Sequence, residues 1–263
     1  TYTSMLNLAS ILYENGQILE SLALDQKAVE GLRDLLGNEH PTTLSAINNL
    51  ANSYQLAQKY EHAEPLYQEA IEVGGRLNGE SHPSTIRATN NLAMLLGLTG
   101  RHEESIKLHR KVVDQSRKIY GSAHPTTVEY LGNLANEYLA VEQDQEALPW
   151  CREYYAKSGT LQAGIALAET LFKLGQNEEA RDLSAKLKSM IDTTLANAPR
   201  DRADKLTELA WGFYQGNEIE QMKPLLLEAK KLHLETGNEN SVMGLDNERL
   251  LKELEKIGNA PSE

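Results

Sequence analysis

Apolar residues return along this chain at i, i+3, i+4 and i+7. Ile47, Leu50, Ala51 and Tyr54 form one such stripe, and Leu131, Leu134, Ala135 and Tyr138 form another. Met5, Leu8, Ala9 and Leu12 have the same spacing near the start. It places four side chains on one face of an α-helix. A short turn is expected near Gly16, Gln58, Gly100 and Glu142, followed by a second helix with Leu24, Leu66, Leu108 and Trp150 on its inner face. Small residues there (Ser21, Ala63, Ser105 and Ala147) let the two helices approach closely. Gly37, Gly79 and Gly121 close the second helices, where a left-handed C-cap favours glycine. Pro41 opens the next first helix, at a position whose N–H needs no partner.

These hairpins repeat with a fixed period. Asn-Leu-Ala stands at Asn7–Ala9, Asn49–Ala51, Asn91–Ala93 and Asn133–Ala135, each copy 42 residues after the last, and His-Pro at His40, His82 and His124 keeps the same interval. Such a period predicts an all-α solenoid whose units bury their apolar faces against their neighbours. The interval then shortens, with Ala168 standing 33 residues after Ala135, before Ala210 restores 42. The reading is one array over residues 1–258, with repeats at about 1–37, 41–79, 83–121, 125–157, 160–197 and 200–238. A capping helix is expected at about 241–258, with Glu248, Lys252, Glu253 and Lys256 on its charged face, and a tail at 259–263. That makes about thirteen helices and no strand. Pro65, Pro149 and Pro224 fall about one turn inside second helices, early enough for the helices to stay whole. Thr1 shares the register of Thr43, so the chain opens just inside a helix and is expected to be an excerpt of a longer protein.

The small-residue pattern over two helices resembles the tetratricopeptide repeat. Asn48–Ala51, Asn90–Ala93, Tyr60–Tyr67 and Leu36–Pro41 resemble its 42-residue kinesin light chain form, over roughly residues 1–157. The resemblance implies a right-handed superhelix of helix-turn-helix repeats, with first helices lining a concave groove that takes extended peptides.

The groove face lies opposite the core stripe. In the second repeat it holds Ser45, Asn48, Asn49, Asn52 and Leu56, and in the first Asn7 and Ser10. The third supplies Arg87, Asn90 and Asn91, the fourth Glu129, Asn133 and Asn136, and Trp211 shares the register of Asn52 further on. Asn7, Asn49, Asn91 and Asn133 thus make a ladder of one amide per repeat. Each amide carries a donor and an acceptor, so the ladder is either a clamp for a peptide backbone or a seam between helices. A clamp for chaperone-tail carboxylates is rejected. Its asparagine places hold Asn52 and Asn91, but its three cation places hold Asn48, Glu129 and Asn133. Glu129, Glu169, Asp204 and Glu208 make the later groove acidic, which suits a partner with a basic segment.

The remaining chemistry is exclusion. No phosphate loop, Gly-x-Ser-x-Gly or His-Glu-x-x-His occurs, so no enzyme activity, cofactor or metal is expected. His40, His82 and His124 read as turn residues, while His109 and Cys151 share a register and read as a packed pair. A net charge of −12 without a Lys/Arg run argues against nucleic acid, and no apolar run of membrane length appears. Cys151 is the sole cysteine, which suits a reducing, cytoplasmic setting. The expected function is a protein-interaction scaffold for an extended peptide or partner segment. The alternative is a sensory or regulatory array in a larger signalling protein, where a peptide switches an attached module.

Overall fold

The computed structural model describes residues 1–258 and contains thirteen α-helices, with no strand among the described residues. They are α1 (Tyr2–Glu14), α2 (Ile18–Leu36), α3 (Pro41–Leu56), α4 (Tyr60–Asn78), α5 (Pro83–Leu98), α6 (His102–Tyr120) and α7 (Pro125–Ala140). After these come α8 (Asp144–Ser158), α9 (Leu161–Lys173), α10 (Asn177–Thr194), α11 (Pro199–Gln215), α12 (Ile219–Glu235) and α13 (Val242–Gly258). The expected tail at 259–263 lies outside the described residues. No described helix is long and apolar enough to cross a membrane.

The chain divides into two compact units, Thr1–Glu137 and the residues from Tyr138 onward. In the first, α1, α3 and α5 pack on α2, α4 and α6 respectively, and α2 and α4 also pack on the helix that follows. The core runs through these joints. Leu22, Val29 and Leu32 of α2 meet Leu44, Ile47 and Leu50 of α3, while Ala51, Ala63 and Tyr67 meet Leu92, Leu95 and Leu96.

Two expectations about the core change here. Leu50, Leu92 and Leu134 are 6%, 8% and 0% exposed, but Leu8, at the same register, is 48% exposed. Leu50 is covered by α2 of the preceding hairpin, whereas α1 packs on α2 and no other described helix covers Leu8. The inner face of the second helices is also turned by one residue. Leu24, Leu66, Leu108 and Trp150 are half-buried, and the fully buried column is Asp25, Tyr67, His109 and Cys151.

The helix ends explain the punctuation. His40, His82 and His124 are N-caps, each Nδ1 accepting from the backbone N–H two residues on, at 3.2, 3.3 and 3.2 Å. The imidazole thereby satisfies one of the four N–H groups that a helix start leaves over. Gln58, Glu142 and Asn217 hold left-handed φ near 57° at the hairpin turn, where Gly16, Gly100 and Gly175 stand in other repeats. Gly79 is different, with φ 90° and ψ 153°. That is an extended positive-φ geometry open essentially to glycine alone, not the left-handed helical cap expected. Gly37 and Gly121 share it. Pro65, Pro149 and Pro224 leave their helices continuous, as expected, but each is the sixth helical residue. They stand beyond the orphan N–H groups, so the carbonyls of Glu61, Gln145 and Glu220 each forgo a helical bond.

In the second unit α9 packs on α8, α10 and α11, and α11 on α12. The Phe172 and Phe213 rings meet at 5.0 Å across α9 and α11. The last helix, α13, lies against α11 and α12, burying Leu250 and Leu254 while Asn247 donates to the Leu226 carbonyl at 3.0 Å. Its outer face pairs Glu248 with Lys252 and Glu253 with Lys256.

Candidate functional site

In the first unit the asparagines form a connected seam. Asn91 of α5 donates from Nδ2 to Asn52 Oδ1 at 3.1 Å and to Asn48 Oδ1 at 3.4 Å, both on α3. One repeat later Asn133 donates from Nδ2 to Asn90 Oδ1 at 3.1 Å. Asn48 and Asn90 are each 4% exposed, so these two expected groove residues face neighbouring helices and not solvent. Asn52 is held from beneath as well, because the buried Tyr67 hydroxyl shares its proton between Asn52 Oδ1 and Gln55 Oε1. Burial holds that phenol well above its ordinary range, so it stays protonated and stays a donor.

The seam uses only half of each amide. Asn91 spends Nδ2 and keeps Oδ1; Asn52 spends Oδ1 and keeps Nδ2. Among the described residues Asn49 makes no side-chain hydrogen bond, since Leu6 occupies the α1 place that Asn48 and Asn90 hold in later repeats. The three amides therefore present two acceptors and two donating groups to one cleft.

That cleft, of about 450 Å³, lies between the α1, α3 and α5 faces, with α2 as its floor. Ser10, Asn49, Asn52, Leu56 and Asn91 line it, so five of the residues expected from sequence converge there. Tyr13, Leu56 and Met94 form an exposed apolar lip, 43%, 44% and 41% exposed. Asn7, Arg87, Glu129 and Asn136 are exposed and Ser45 is half-buried, all outside this cleft. Trp211 lies in the second unit, half-buried, with its ring 5.4 Å from that of Tyr214.

Charge is distributed differently from the simple groove picture. In the second unit Glu169 pairs with Lys173 at 3.2 Å, Glu208 with Lys205 at 2.7 Å, and Asp204 lies 3.9 Å from His233. Glu169 and Glu208 are compensated, whereas Asp204 is not, because burial lowers the His233 pKa and Asp204 Oδ1 has no hydrogen-bond partner among the described residues. The acids of the cleft are Glu14 and Asp25, and no Lys or Arg lines it. Asp25 is 4% exposed and accepts from the Ser53 hydroxyl at 2.5 Å. Burial pushes its carboxyl upward, and the Ser53 bond only partly offsets that. Sequence reasoning passed over Asp25 because it comes from a second helix. The available signal was its register with Tyr67, His109 and Cys151, a column that is buried in every repeat.

The tetratricopeptide repeat profile matches residues 1–76, 44–104 and 84–158. A crystal structure of nearly identical TPR-like repeats, ascribed to a kinesin light chain of Podosopora anserina, is similar at TM-score 0.66 and 26% identity. The alignment covers 73% of this chain and 95% of that one. The apo form of RapI shares the fold at TM-score 0.66 and 12% identity, over 96% of this chain and 99% of its own. YrrB, a TPR protein with an unusual peptide-binding site, aligns at TM-score 0.54 and 15% identity, over 86% and 97%. No curated protein matches the sequence.

Proposed function

Because the chain belongs to the tetratricopeptide repeat family, we propose that it is a protein-interaction scaffold whose first unit holds an extended peptide along the α1–α3–α5 face. The half-used amides carry this reading. Asn49 offers both its groups, Asn52 a donor and Asn91 an acceptor, in one cleft, and an extended backbone offers one donor and one acceptor per residue. Packed helices lie about 8–10 Å apart, so successive first helices would meet an extended strand at intervals of roughly three residues. Amides fixed by the seam lose little side-chain entropy on binding, which favours affinity. YrrB, which shares the fold, carries a peptide-binding site, and that supports the same role here.

A peptide selected from a displayed library on the full chain tests the reading. Asn49→Ala should weaken that peptide by about 1–3 kcal/mol while leaving the melting temperature near wild type, since the residue bonds nothing in the free protein. Lower stability with unchanged affinity for both Asn49→Ala and Asn91→Ala would make the ladder a seam only.

A further inference from the structure

The floor of the cleft contains a group that a backbone clamp does not require. Asp25 is 4% exposed, yet Ser53 is the only described side chain that donates to it, and only one of its oxygens is engaged. A largely buried carboxylate with a single hydroxyl donor and its other oxygen open to the cleft is under-compensated, and a cation or further donors would stabilise it. Tyr67, His109 and Cys151 occupy the same register in the next three repeats, so the acid is particular to the first hairpin. Glu14 adds a second carboxylate at the rim, and the cleft lining contains no basic residue. Above the acids the lip is apolar, made by Tyr13, Leu56 and Met94.

A buried charge beneath an exposed apolar collar matches one kind of side chain. Lysine and arginine lay a hydrocarbon stem along apolar surface and carry their charge at the tip. We propose that the cleft between α1, α2, α3 and α5 receives a lysine or arginine side chain of the bound peptide, its charge against Asp25 and its stem on Tyr13, Leu56 and Met94. The Tyr13 ring adds a face on which a cation is attracted. The net charge of −12 draws basic segments from a distance. The proposal rests on the peptide-binding reading above, and it assigns the basic preference to the first hairpin.

A randomised decapeptide library displayed on phage and selected against the full chain provides the test, with Asp25→Asn selected in parallel. Asparagine keeps the shape and the acceptor for Ser53 while removing the charge. Wild type should enrich peptides sharing one Lys or Arg position, and Asp25→Asn should enrich peptides without it. With a synthetic wild-type-selected peptide, replacing that basic residue by norleucine should weaken binding to wild type at least tenfold, and to Asp25→Asn less than twofold. Met94→Lys, at an exposed position, keeps the question answerable if Asp25→Asn folds poorly, because a cation at the mouth should abolish the basic preference. A basic preference that survives both variants, or enriched peptides with no basic position, overturns this proposal and leaves the peptide-binding reading intact. Failure to enrich any peptide overturns that reading and this proposal with it. Displacement of the peptide by an equal concentration of putrescine would make the cleft a small-amine site and overturn the assignment to a peptide.

Discussion

Asn91 on α5 donates its side-chain Nδ2 to Asn52 Oδ1 on α3 at 3.1 Å, and the bond leaves each amide with its complementary half unused. One residue type thereby serves two ends. It ties successive first helices together, and it fixes which atom of each amide faces the cleft.

The first prediction separates those ends. Asn91→Ala removes donors to Asn48 and Asn52, so it should lower stability by about 0.5–1.5 kcal/mol, the usual net worth of a hydrogen bond. Asn49→Ala should change stability by less than about 0.5 kcal/mol, as a substitution outside any bonded network. Chemical melts of the two variants check the contrast.

Register-equivalent leucines should behave unlike one another. Leu92 is 8% exposed and packs with Ala51, Tyr67 and Leu96, so Leu92→Ala should cost about 2–5 kcal/mol. Leu8, 48% exposed, should cost under about 1 kcal/mol on the same change. Equal losses in denaturant titration would show that the two sites share an environment.

Gln58 stands at φ 56° where Gly16 and Gly100 stand in neighbouring repeats. Gln58→Gly should relieve left-handed strain of about 1 kcal/mol, less the extra entropy glycine gains in the unfolded chain. Gly79→Ala should go the other way, by about 1–3 kcal/mol, because φ 90° with ψ 153° excludes a Cβ. Opposite shifts in melting temperature are the expected outcome.

His109 supplies a pH dependence. Burial lowers its pKa from 6.5 to about 4, so the unfolded chain binds the proton more readily than the folded one. Its contribution is fully present above pH 6.5 and is lost as pH falls towards 4. The slope is about 1.4 kcal/mol per pH unit, on the order of 3 kcal/mol in all. Stability measured across that window should fall less steeply for His109→Leu than for wild type.

Cys151 should be slow to react. It is 1% exposed, and burial raises its thiol to about 11. Thiolate is the attacking species, so disulfide reagents at neutral pH should modify it at least about 100-fold more slowly than a free thiol. Labelling at the speed of a free thiol in native buffer would contradict its burial.

The sequence by itself determined the helices, their pairing and their punctuation. A 42-residue period samples one local environment again and again, so His-Pro, Asn-Leu-Ala and the turn residues report the same cap, joint and turn each time. Residues within a helix are related by its fixed pitch, and that relation needs no knowledge of neighbours. Tertiary structure decided whatever depends on the helix across the joint. It left Leu8 exposed, where Leu50 is covered by α2, and turned the buried column from Leu66 to Tyr67. It placed Asn48 and Asn90 under the next amide, where a face-by-face reading had put them in the groove. It also brought Asp25, from a second helix, beside Ser53 of a first one, 28 positions away. Periodicity orders the residues of a single helix, but a cleft is made by several, and the contacts between them follow from side-chain size and burial at each joint.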